Sequence, residues 1–203
     1  MRFDVHYAWL AQSAEWYSWA MRRVLAILVA VLGLGFAGAQ SDQTDPRLKD
    51  LFADLRTAPS PEAAAGIEGR IWTIWAQSGD PDLDEVFAIG SRALATGDAP
   101  TALKVFDAIV RKAPGFAEGW NKRATVHYMM GNYEASLADI DRTLELEPHH
   151  FGALSGLGLV NIALERDEAA LDAFERVLKV TPQSPSARLN LEFVKQRIKD
   201  KSI

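Results

Sequence analysis

Apolar residues recur at helical intervals along most of the chain. Leu48, Leu51, Phe52 and Leu55 share one face of a helix predicted from about Pro46 to Arg56, with Asp45 as its cap. Ile67, Ile71, Ile74 and Trp75, with Trp72 beside them, share one face of a second helix from about Pro61 to Gln77. Pro59-Ser60-Pro61 parts the two, and Ser78-Gly79-Asp80-Pro81 stops the second. Three helix pairs are predicted next: 82–96 with 99–112, 116–129 with 133–146, and 150–164 with 167–180. After the turn Thr181-Pro182-Gln183-Ser184-Pro185 comes a final helix to about Lys199, with Leu189, Phe193, Val194 and Ile198 as its apolar side.

The three pairs overlay on one another at a shift of 34 residues. Pro114, Pro148 and Pro182 coincide, as do Leu103, Leu137 and Leu171. Val86, Trp120 and Leu154 coincide, followed by the small residues Gly90, Ala124 and Gly158. Ala102, Ser136 and Ala170 then align, and Phe106, Ile140 and Phe174 after them. A fixed period of this length marks a solenoid, in which each unit buries its apolar face only against its neighbours. Gly97 and Gly131 suit the left-handed end of a first helix, and Asp98 and Asn132 suit the cap of the next. The third copy has Glu165-Arg166-Asp167 there, so a different turn is expected, with Asp167 as its cap.

This register resembles the tetratricopeptide repeat (TPR), carried in the middle copy by Trp120, Ala124, Gly131, Ser136, Ile140 and Pro148. The resemblance implies an all-α solenoid with repeats at 83–116, 117–150 and 151–184. Residues 40–82 fit the register poorly and read as a degenerate N-terminal capping hairpin; 185–203 read as a C-terminal capping helix. Arg188, Lys195, Arg197, Lys199 and Lys201 are expected to supply the polar outer face of that helix.

The resemblance also implies a concave groove lined by the first helix of each repeat. Its expected residues are Phe87, Ser91 and Leu94; Asn121, Thr125, Tyr128 and Met129; and Ser155, Leu159 and Ile162, with Leu189 and Phe193 closing it. Such a lining suits a protein or peptide partner with apolar anchors. Some members of the family clamp a C-terminal carboxylate with Lys, Arg and Asn. Only Asn121 matches here, and Lys122 and Arg123 are expected to point elsewhere, so that specificity does not carry over.

The N-terminus carries a different signal. Arg22-Arg23 precede an apolar run from Val24 to Phe36, and Ala37-Gly38-Ala39 follow. This is the pattern of a secretory signal peptide over 21–39, with cleavage expected after Ala39 and a periplasmic or secreted product. Residues 1–20 precede it, and Met21 directly before the arginine pair reads as the true start, making 1–20 an upstream extension. The alternative is a retained inner-membrane anchor, against which the 16 residues of Val24–Ala39 fall short of the ~20 needed to span. Gly33, Gly35 and Gly38 spell a dinucleotide-binding fingerprint, but no βαβ unit surrounds them.

Composition narrows the chemistry. Losing residues 1–39 removes three basic and two acidic residues, leaving 19 and 25, a net charge of −6 with no attraction for nucleic acid. With no cysteine there are no disulfides, thiolate nucleophiles, cysteine metal sites or cysteine-linked lipid. No HExxH, P-loop or G-x-S-x-G is present. His149 and His150 read as part of a polar inter-repeat turn, and Asp139, Asp141, Glu145 and Glu147 as a solvated helix face. No catalytic residue, cofactor or metal is expected. The expected function is non-enzymatic: an exported scaffold that binds a peptide or helix. The alternatives are a periplasmic assembly factor or holdase chaperone, and a membrane-anchored scaffold if the leader stays on.

Overall fold

The computed structural model describes residues 42–202. The expectations about the upstream extension, the signal peptide and its cleavage point fall on residues outside that range. The described residues form helices α1 (Arg47–Arg56), α2 (Pro61–Trp75), α3 (Pro81–Ala95), α4 (Ala99–Lys112), α5 (Ala117–Met129), α6 (Tyr133–Leu146), α7 (Phe151–Ala163), α8 (Asp167–Val180) and α9 (Pro185–Lys201). Among them no strand occurs, and no helix is long and apolar enough to cross a membrane.

Helices α3–α8 form three hairpins stacked in chain order. Small residues set the close approaches. A Cβ on Gly90 would stand 2.8 Å from Val105 Cγ1, and one on Gly158 would stand 2.6 Å from Phe174 Cε1. Phe106, Ile140 and Phe174, equivalent in the 34-residue register, are all buried between the helices.

Turn chemistry departs from expectation in three places. Gly97 and Gly131 do take positive φ, at 78° and 75°. Glu165 takes φ 58°, so the third turn keeps the same geometry without glycine. The same closing bond is made each time: Asp98 N to Ala93 O, Asn132 N to His127 O, and Arg166 N to Asn161 O. Asp98 caps α4 through Thr101 N, whereas the Asn132 side chain makes no cap bond. Asp167 is not a cap. It is the first residue of α8, buried, with its carboxylate 3.0 Å from Arg197 Nε and 2.7 Å from Lys201 Nζ. Two cations expected on the outer face of the final helix therefore bind α9 back onto α8 instead. At the start of α1, Asp45 accepts the backbone N–H of Arg47 and pairs with its guanidinium.

The N-terminal hairpin caps the array along an edge. Its core residues Leu48, Leu51, Phe52, Leu55, Ile71, Ile74 and Trp75 form one cluster with Phe151 and Leu154 of α7, Val177 and Val180 of α8, and Ala187 of α9. Polar contacts follow the same edge from one inter-repeat turn to the next. Gln43 bonds Gly115 O and Ala117 N, Glu68 accepts from Thr181 Oγ1, and Gln183 donates to Ala58 O. The hairpin therefore lies across all three inter-repeat turns.

Candidate functional site: a groove beside a buried polar seam

Helices α5 and α7 run side by side and leave a pocket of about 170 Å³ between them. Asn121, Thr125 and Tyr128 line it from α5, and Ser155 and Leu159 from α7. Ala124, Gly152, Gly156 and Val160 of the same helices and Ser136 and Ile140 of α6 complete it. Five of the residues expected in the groove are thus brought together. Met129 is 52% exposed at the end of α5. Ile162 is partly buried against the core shared by α8 and α9. Leu189 and Phe193 stand out from α9, 72% and 51% exposed; the buried side of that helix is Ala187, Leu191 and Val194.

The first repeat does not contribute as expected. Phe87 is buried, its ring 5.8 Å from that of Phe106 and 5.5 Å from that of Phe116. These rings offer an aromatic core that outweighs exposure to the groove. Leu94 packs against the same core and Ser91 is half-buried. Neither lines the α5–α7 pocket.

Next to the pocket lies a cluster that the sequence pattern did not reveal. Glu118 and His150 are both buried, with His150 Nε2 3.0 Å from Glu118 Oε2. Asn121 Nδ2 donates to the same oxygen at 2.8 Å, and Lys122 Nζ lies 3.1 Å from Oε1. Ala153 N–H donates to His150 Nδ1, so that nitrogen carries no proton and Nε2–H points to the carboxylate. His150 is therefore the N-cap of α7, not a solvated turn residue. His149, its neighbour, is exposed and bonds Glu147.

Two indoles from α2 seal this cluster. Trp75 stacks on His150 with centroids 4.0 Å apart, and Trp72 meets His150 and Phe151 edge-on. Lys122 sits over the Trp72 ring. Burial pushes the Glu118 pKa up, but the hydrogen bond from His150, together with the charge and hydrogen bond of Lys122, outweighs it and holds the carboxyl below its ordinary value. One signal could have found His150. In the 34-residue register it coincides with Phe116 and Ser184, which occupy the N-cap positions of α5 and α9. The register points less clearly to Glu118: its equivalents are Asp84 in the first repeat, Gly152 in the third and Ser186 in the final helix.

The acidic run on α6 is also not uniformly solvated. Asp139 and Glu147 are buried, whereas Asp141 and Glu145 are exposed. Arg123 spans the first two repeats, bonding Asp107 and, through two nitrogens, Asp139, while it lies over the Trp120 ring. Lys122 and Arg123 are thus both engaged away from the groove. Among the described residues no group of side chains is arranged to hold a metal ion.

Comparison with known proteins agrees with the fold. A family model described as a tetratricopeptide repeat matches residues 87–137 and 121–187. A TPR repeat-containing protein of Rhizobium etli is 32% identical over 158 residues, 78% of this chain and 78% of that protein. DnaJ homolog subfamily C member 3 of Rattus norvegicus is 33% identical over 101 residues, half of this chain but only 20% of that protein. Among solved structures, the Sgt2 TPR domain of Aspergillus fumigatus superposes with a TM-score of 0.58 at 22% identity, over 61% of this chain and 83% of that one. The first TPR of Spaghetti (RPAP3), bound to the HSP90 peptide SRMEEVD, superposes with a TM-score of 0.56 at 20% identity, over 58% and 93%.

Proposed function

The chain belongs to the tetratricopeptide-repeat family, whose domains are generally non-enzymatic modules for protein and peptide binding, and from that premise we propose that its groove seats a segment of a partner protein outside the cytoplasm. The observation that carries the reading is the pocket between α5 and α7, lined by Tyr128 and Leu159 and floored by small residues. A void of about 170 Å³ is the size of one large apolar side chain, and such anchored contacts dominate the energetics of interfaces. Leu189 and Phe193 continue the apolar surface at register positions equivalent to Ser155 and Leu159. The peptide complex of the Spaghetti TPR supports the same use of the fold. Export rests on the leader: residues 21–39 are cleaved after Ala39 in this reading, and the mature chain acts as a soluble scaffold.

The test is a cross-linked pull-down from the native host, comparing the wild-type chain with a Tyr128→Ala/Leu159→Ala/Ile162→Ala variant of unchanged helicity. A partner lost only in the variant supports the groove. Equal capture by both overturns it. Broad capture of unfolded proteins in place of one saturable partner marks a holdase. The mass of the protein recovered from the periplasm tests cleavage, with Gln40 as the expected first residue.

A further inference from the structure

The Ser and Thr hydroxyls of the groove share one property: their protons are directed into the protein. Thr125 Oγ1 donates to Asn121 O at 3.0 Å, Ser155 Oγ to Phe151 O at 2.8 Å, and Ser136 Oγ to Ala124 O at 2.8 Å. A carbonyl oxygen only accepts, and a hydroxyl has a single proton, so the direction of each bond is fixed. The amide of Asn121 is fixed by the same logic. Its Nδ2 lies against the Glu118 carboxylate, which pairs with Lys122 and faces the His150 Nε2–H, so the nitrogen and not Oδ1 must face it. Among the described residues nothing donates to Asn121 Oδ1, although the residue lines the pocket. The pocket lining contains no Lys, Arg, His, Asp or Glu.

We propose that the α5–α7 groove selects an internal stretch of a partner protein that brings an apolar side chain beside a neutral hydrogen-bond donor, and rejects a segment that ends there in a carboxylate. The inference rests on the groove being the binding surface. The hydroxyl oxygens of Thr125 and Ser155 and the amide oxygen of Asn121 offer lone pairs. A backbone N–H or an Asn or Gln amide complements them. A carboxylate set against these three oxygens would oppose oxygen to oxygen and lose water without gaining a cation. The two cations nearest on α5 are already committed, Lys122 to Glu118 and Arg123 to Asp107 and Asp139. The buried Glu118 thereby sets the groove's preference from behind, because it holds the donor end of Asn121.

N-acetyl-leucinamide and N-acetyl-leucinate differ only at the group in question. Each is titrated into the isotope-labelled full chain, and the backbone amide signals of Thr125, Tyr128, Ser155 and Leu159 are followed by NMR. The amide ligand is expected to bind about tenfold more tightly, the scale of one acceptor set against another. Equal binding, or tighter binding of the carboxylate, overturns the specificity while leaving the groove. Failure of both ligands to move any groove signal overturns the groove reading itself. A Thr125→Val/Ser155→Ala variant with unchanged helicity is expected to bind both ligands alike. Retention of the full preference in that variant shows that these oxygens do not set it and overturns the proposal.

Discussion

At the N-terminal ends of α5 and α7, Trp72 and Trp75 close over Glu118 and His150, and these two side chains bond one another and Asn121, Lys122 and Ala153 N–H. About two turns further along the same helices, Thr125, Tyr128, Ser155 and Leu159 line a groove with no element of the described chain laid across it. Both regions are built from the same pair of helices and both contain polar side chains among apolar ones. They differ in where the hydrogen bonds go. In the seam, polar groups of α5 and of the α7 N-cap satisfy one another beneath two indoles of α2; in the groove, the Thr125 and Ser155 hydroxyls turn back onto their own helices. A seam built that way holds the N-terminal hairpin in place. A groove built that way keeps its shape while its acceptors stay available.

The largest effect should come from the seam. Trp75 is 1% exposed and stacked on His150, so Trp75→Ala should lower stability by about 3–5 kcal/mol, read by chemical denaturation. Because the substitution removes the hairpin's main contact with α7, proteolysis should cut first within residues 42–80. Loss of the groove signals at the same denaturant concentration as the hairpin signals would show that seam and groove unfold as one.

Acid should open the seam as well. Glu118 has a folded pKa below its ordinary value, so its stabilisation is present above the ordinary carboxylate range and is lost as pH falls through the folded value. Stability should therefore decline below about pH 4, and part of that decline should vanish in Glu118→Gln. Asp45, Glu62, Asp80 and Asp98 are also held below their ordinary values and set a background slope common to both proteins. An unchanged acid limb in Glu118→Gln would assign the dependence to them alone.

Gly152 joins the two regions. It lines the pocket, and a Cβ there would stand 2.5 Å from Trp72 Cη2. Trp72 is held by Trp75, His150 and Phe151 and cannot swing aside freely. Gly152→Ala should cost about 1–3 kcal/mol by overpacking and should shift the Trp72 indole signal. At the small end, Leu189→Ser/Phe193→Ser should leave stability within about 0.5 kcal/mol, since both side chains are more than half exposed. Partner affinity should fall in this variant. A stability loss as large as that of Gly152→Ala would mean that α9 relies on these residues for packing.

The repeat architecture was legible because each unit writes the same apolar and small residues at a fixed interval. Helix positions, the close approaches at Gly90 and Gly158, and the grouping of Thr125, Tyr128, Ser155 and Leu159 all follow from that register. What it did not show is whatever breaks the repeat. Glu118 and His150 meet across 32 residues, and no other copy pairs an acid with an imidazole: the equivalents are Asp84 and Gly152 for Glu118, and Phe116 and Ser184 for His150. The hairpin's place along the turn edge depends on contacts between Trp72, Trp75 and α7, which are distant in sequence. Phe87 was misplaced because its register position is a groove position, while Phe106 and Phe116 provide a deeper aromatic site. Glu165 was misread because the turn's backbone is set by the helices it joins, and a non-glycine residue there bears the left-handed conformation at a cost of about 1–2 kcal/mol.

The central claim is that the groove between α5 and α7, continued by Leu189 and Phe193, meets the partner. A photoreactive amino acid placed in vivo at Thr125 or Leu159, and separately at the exposed Lys104 of α4, tests it directly. Cross-links to one discrete partner from Thr125 and Leu159 but not from Lys104 are the predicted result. The same partner captured from Lys104, with none from either groove position, would contradict the account.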